Sequence, residues 1–158
     1  LLLVHADRFE AALDRAWRDL PSPATGLVDQ LLFVFERLFR LHDEDQALAR
    51  HVIKEQLDVS DRASPHRQRI SALLDRLLEQ LQQLVADAQA RGEIAADAPA
   101  RQVAWNAFAA YVAALHGWLG GWTTEWPALG ILRSALELQA RGLAAPPRPR
   151  RRKPRGVT

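Results

Sequence analysis

Apolar positions recur at helical spacing along the whole chain. Leu2, Phe9, Leu13, Ala16 and Leu20 share one face at a period near 3.6, and Pro21 and Pro23 end that first predicted helix. A second helix is expected from about Ala24 to Leu41, with Leu27, Leu31, Phe35, Leu38 and Phe39 facing inward. Asp43, Glu44 and Asp45 then form an acidic start, favourable at the positive end of a helix dipole, for a third helix reaching about Gln56. "DVSDRASP" is a loop in which Ser64 is an N-cap and Pro65 a first-turn residue. The fourth helix carries one broad stripe, Ile70, Leu73, Leu74, Leu77, Leu78, Leu81, Leu84, Val85 and Ala88, and Gly92 stops it. A fifth runs from "DAP" at 97–99 to about Gly121. The sixth runs from about Pro127 to Arg141, with Gly142 as its stop. No strand pattern competes. The expected fold is all-α, a bundle of about six helices over residues 1–143.

The fifth helix departs from the amphipathic rule. "VAWNAFAAYVAALHGWLGGW" has only Asn106 and His116 as clearly polar side chains over twenty residues. A helix apolar on every side is expected to be buried on every side. Steps of 100° separate a bulky arc (Trp105, Phe108, Val112, Leu115, Leu119, Trp122) from a ridge of small residues (Ala109, Ala113, Gly117, Gly121). Twenty mainly apolar residues are long enough to cross a bilayer. Against a span, six of them are alanine and three glycine, and every preceding helix is an ordinary amphipath. No membrane is expected. A second copy of the chain is the better cover: the last two helices of each copy would meet as a four-helix interface. Its expected residues are Ala113, Gly117, Trp118, Leu119 and Trp122, with Leu129, Leu132 and Leu136 on the sixth helix.

Charge sharpens this picture. The net charge of +2 divides into a body, residues 1–143, of net −4, and a tail, 144–158, of +6. An acidic body argues against a nucleic-acid surface on the bundle itself. The tail "AAPPRPRRRKPRGVT" cannot build a core and is expected to be disordered. Its Arg148, Arg150, Arg151, Arg152, Lys153 and Arg155 suit DNA phosphate by charge alone, without sequence preference. With no cysteine there is no disulfide and no thiolate chemistry, which fits a cytoplasmic protein. "HDEDQ" at 42–46 reads as a solvated helix cap rather than a metal site, and no other ligand cluster matches it. No catalytic constellation is found, so neither an enzyme nor a cofactor is expected.

Three quoted stretches carry a family likeness. "LLLVHADRFEAALDRAW", "LFRLHDEDQALARHVIKEQ" and "LVADAQARGEIAADAPARQVAWNAFAAYVAALHGWL" follow in the order of the regulatory half of a TetR-family transcriptional repressor, which they resemble in pattern from Leu1 to Leu143. The resemblance implies homodimerisation, a small apolar effector, and control of an operator through an N-terminal helix-turn-helix domain. This chain does not contain that domain, so it is expected ahead of Leu1. In such a regulator the effector favours one of two packings and the first helix carries the change to paired DNA-reading heads. An aromatic, mainly apolar cleft is the usual effector site. Its candidate lining here is Phe9, Leu13, Trp17, Phe35, Phe39, Trp105, Phe108, Tyr111 and Val112, with Asn106, Tyr111 and His116 as polar anchors. The competing reading is a free-standing helical module whose fifth helix docks a different protein.

Overall fold

The computed structural model describes residues 2–57, 65–122 and 128–144. The cap expected at Ser64 and the phosphate-binding role expected of Arg148, Arg150, Arg151, Arg152, Lys153 and Arg155 lie outside the described residues. Within them stand six α-helices: α1 (Leu2–Arg18), α2 (Leu27–Asp43), α3 (Gln46–Leu57), α4 (Pro65–Arg91), α5 (Ala100–Leu119) and α6 (Ala128–Gly142). The one pairing outside helices is an isolated bridge between Ile94 and Ala144. No helix among these residues is long and apolar enough to cross a membrane.

The most enclosed helix is α2, not the α5 that the hydrophobic run predicted. Five other helices, α1, α3, α4, α5 and α6, pack against α2. Accordingly Leu27, Gln30, Leu31, Leu32, Val34, Phe35, Leu38, Phe39, Leu41 and His42 are all buried, more than any single stripe allows. Helix α5 instead buries Val103, Ala104, Ala107, Tyr111, Ala114, Leu115, Gly117 and Leu119 and turns Trp105, Asn106, Ala109 and Ala113 outward. Its small inner residues bring α4 close, while Tyr111 reaches α2.

Local chemistry sets the helix ends. Pro23–Thr25 form a 3₁₀ turn capped by Ser22, which delays α2 until Leu27. Gly26, at φ +91°, turns the chain into α2 but has no side chain with which to cap it. Glu93, 66 residues further on, supplies the cap: its carboxylate accepts from the Leu27 N–H at 2.9 Å and is held by the Arg91 guanidinium at 2.7 Å. Burial opposes the Glu93 charge, but these two donors outweigh it and hold the carboxyl below its usual range. Gly92, at φ +79°, ends α4 with paired bonds from Glu93 N–H to Ala88 O and from Gly92 N–H to Gln89 O. Gly121, at φ +73°, does the same for α5, with Trp122 N–H to Gly117 O. Gly142, expected to be a stop of this kind, keeps an ordinary φ as the last residue of α6.

Glu93→Ala is expected to lower stability by about 1–2 kcal/mol through the lost cap. Urea unfolding should show an earlier midpoint at unchanged slope, and Glu93→Gln, which keeps an acceptor, should recover part of the loss.

Candidate functional site

The aromatic residues of α2 and α5 gather where these two helices meet. Phe35 stacks on Tyr111 with ring centroids 4.8 Å apart, Phe39 meets Tyr111 edge-on at 5.3 Å, and Phe108 lies 6.2 Å from it. Trp118 packs on Phe39 at 5.8 Å. Phe9, Leu13 and Trp17 of α1 belong to the same core, Trp17 only partly buried. Among the described residues the Tyr111 hydroxyl in this cluster is buried without a hydrogen-bond partner, as are Trp17 Nε1 and Gln30 Oε1 elsewhere in the protein. Burial pushes the Tyr111 phenol well above its ordinary pKa, so it stays a neutral donor. Nearly all buried polar groups in folded proteins are satisfied. An orphaned hydroxyl among aromatic rings therefore marks a place where a ligand atom would be favourable.

Other expected lining residues lie elsewhere. Trp105 is 52% exposed, and Asn106 is exposed and accepts from the Gln102 side chain at 2.8 Å. Val112 and His116 are half-buried on the flank of α5. The helix therefore presents Tyr111 and Phe108 to the aromatic cluster and turns Trp105 and Asn106 away.

The expected interface residues divide as well. Gly117, Leu119, Leu132 and Leu136 are buried inside the protomer, and Trp118 packs partly into its core. They cannot also form a surface between protomers. The cause is α6, which packs onto α2 as well as α5: Arg133 pairs with Asp29 at 3.2 Å, and Gln139 donates to the Val103 carbonyl at 3.1 Å. That seat uses up the leucine stripe of α6. Ala113 and Trp122 do face outward and Leu129 is half-buried. The outward apolar surface of these last two helices consists of Trp105, Ala109 and Ala113 on α5, Leu138 (64% exposed) on α6, and Trp122 (82% exposed) beyond α5.

The acidic turn at 43–45 caps α3, with Asp45 Oδ1 accepting from Leu48 N–H at 2.9 Å. His42, expected to be solvated with it, is buried and stacks on His5 of α1 with ring centroids 5.7 Å apart. Burial first, and then the nearby His5, hold His42 down to about 4. His5 is also lowered, by burial and then by His66 and Arg8, against an opposing pull from Asp45. Sequence reading missed both this pair and Glu93. The spacing of His5, Phe9 and Leu13 on one face was the available signal for His5.

The architecture is that of an all-α domain built round α2, with an aromatic cluster beside it. Residues 51–118 match the family model described as the tetracyclin repressor-like C-terminal domain. A solved structure of a protein of unknown function from Rhodococcus sp. RHA1 is similar to it, with a TM-score of 0.67 at 20% identity over 90% of this chain and 69% of that one. That likeness is one of fold. No curated protein matches the chain.

The histidine pair predicts an acid limit. An unfolded histidine titrates near 6.5, and His42 in the fold near 4, so the unfolded chain gains its proton first as pH falls. Stability is expected to be full above about pH 7 and to fall progressively from about 6.5 towards 4. Thermal unfolding at pH 7.5 and 5.0 should show the loss, and His42→Gln should flatten it.

Proposed function

We propose that this chain is the effector-sensing and dimerisation body of a TetR-type transcriptional regulator, one that acts as a repressor. The observation that carries the reading is the Tyr111 hydroxyl, buried without a partner against Phe35, Phe39 and Phe108. The effector is a small, mainly apolar molecule with a hydrogen-bond acceptor for Tyr111, entering between α1, α2 and α5. It favours a packing in which α1 is displaced, because Phe9 and Leu13 of α1 share the core with Phe35 and Tyr111. In the full regulator that displacement changes the spacing of two DNA-reading heads that precede α1. The role is one of binding, and no catalytic step is assigned.

Homodimerisation uses the outward faces of α5 and α6. Trp105, Trp122 and Leu138 are too exposed for a chain that remains alone, and Ala109 and Ala113 allow a second helix to approach closely. A two-fold contact of this kind is self-complementary and brings two α1 helices into a fixed relation.

Two measurements test the reading. Trp105→Arg combined with Leu138→Arg is expected to give a folded monomer by sedimentation, whereas Leu132→Arg should unfold the protein. A wild-type chain that sediments as a monomer would favour the module that docks a different protein. Tyr111→Phe removes the orphaned hydroxyl and is expected to raise the stability of the ligand-free protein by about 1 kcal/mol. The same change should weaken binding of 2-naphthol, followed by tryptophan fluorescence, by roughly fivefold, the equivalent of one hydrogen bond. A stabilised variant with unchanged naphthol affinity would place the ligand elsewhere.

A further inference from the structure

The two flanks of α1 are charged differently. Towards α4, its carboxylates meet arginines: Arg69 pairs with Asp7 at 2.6 Å and Glu10 at 2.9 Å, and Arg76 pairs with Asp14. Towards α2 the match fails. Arg8 pairs with Glu44 at 2.5 Å, but seven residues on along α1 and seven back along α2 the groove is lined by two arginines, Arg15 and Arg37. These two line one groove of about 480 Å³ together with Arg8 and Arg40.

The charge of this groove is not neutralised from within. Glu44 is already engaged by Arg8, and Glu36, on α2 itself, by Arg40 at 2.6 Å. Arg37 has only the Phe33 ring, 4.8 Å from its guanidinium carbon, and Arg15 has no carboxylate partner among the described residues. The setting makes this notable, because residues 1–143 carry a net charge of −4. The floor is made by Ala11, Ala12 and Leu41, short or buried side chains that leave the space between the helices open. Guanidinium groups facing each other across such a space repel, and an anion between them converts the repulsion into paired, charge-assisted hydrogen bonds.

We propose that the α1/α2 groove is a binding site for a small organic polyanion, a molecule bearing two or more carboxylate or phosphate groups. Arg15 and Arg37 are its principal ligands, and the already paired Arg8 and Arg40 flank it. The site lies on the outer side of α1 and α2 and is distinct from the aromatic cluster around Tyr111. Its shape selects a small molecule over a nucleic acid: the arginines converge across a concave slot, whereas a duplex backbone is met by a convex or extended basic ridge. A bound polyanion bridges α1 to α2 and holds α1 in place.

The test uses the full chain at low ionic strength, with citrate and inorganic pyrophosphate as probes and a random DNA duplex as competitor. Calorimetry is expected to show one saturable site per chain for at least one small probe, with a raised melting temperature. The double variant Arg15→Ala/Arg37→Ala should weaken that binding at least tenfold, while Arg101→Ala on α5 leaves it unchanged. The basic tail is identical in all three proteins, so its unspecific affinity cancels. Binding that is equal in the double variant, or absent for both probes, would overturn the site. Duplex binding that depends on Arg15 and Arg37, without small-anion binding, would overturn the small-molecule assignment.

Discussion

Everything in this domain depends on enclosing α2. A 17-residue helix contacted by five others must carry a broad apolar arc, and ten of its residues are buried. Enclosure also raises the cost of its ends, because an unsatisfied N–H at a covered terminus has no water to turn to. Gly26 supplies the turn and cannot supply the cap, so the cap arrives from the α4–α5 connection as Glu93. The same connection is fixed twice more, by Gln89, which donates to the Ala95 carbonyl at 2.9 Å and the Ala98 carbonyl at 2.7 Å, and by Ala95 N–H to Leu143 O at 2.8 Å. The stretch "RGEI" thus stops α4 at Gly92, starts α2 at Glu93 and buries Ile94. It couples the long fourth helix to the central one.

Helix α1 is held on different terms. Its apolar face, Ala6, Phe9, Ala12, Leu13 and Ala16, is buried in the shared core, but its polar contacts to α4 are ion pairs between partly exposed side chains. Such pairs contribute about 0–1 kcal/mol each and yield readily to rearrangement. His5 and Phe9 sit against α2 in a contact that acid weakens, and the α2-facing flank carries uncompensated positive charge. An element anchored by a narrow apolar ridge and adjustable electrostatics is a physical candidate for the moving part of a two-state domain.

The helices were legible because each carries apolar residues at helical spacing, a stripe in all but the uniformly apolar α5, bounded by proline, glycine or an acidic cap. All six are found within a few residues of expectation. Which helix would be most enclosed was not legible. The run from Val103 to Trp122 is more uniformly apolar than α2, yet α2 is the better buried because five other helices pack against it, while Asp29, Arg40 and Asp43 stay on its exposed strip. Periodicity reports a face and not its partner. Leu132 and Leu136 looked free to meet a second chain and were taken instead by the protomer's own α2 and α5. For the same reason the aromatic residues of α5 divide between inside and outside, Tyr111 inward and Trp105 outward. Glu93 and the facing arginines escaped sequence reading because their partners lie 66 and 22 residues away, beyond any local pattern.

Two kinds of incompleteness remain in the structure, and they differ in chemistry. The aromatic cluster lacks a hydrogen-bond partner: Tyr111 presents a neutral hydroxyl inside an apolar core. The groove between α1 and α2 carries more arginines than carboxylates. A neutral, mainly apolar molecule satisfies the first and gains nothing in the second, and a polyanion the reverse, since burying its charge in the core is prohibitive. Both places touch α1 and α2. On the proposed reading, an apolar ligand in the core would require α1 to give way, while an anion bridging Arg15 and Arg37 would draw it towards α2. Two ligands that favour opposite positions of one helix oppose each other by linkage, without meeting.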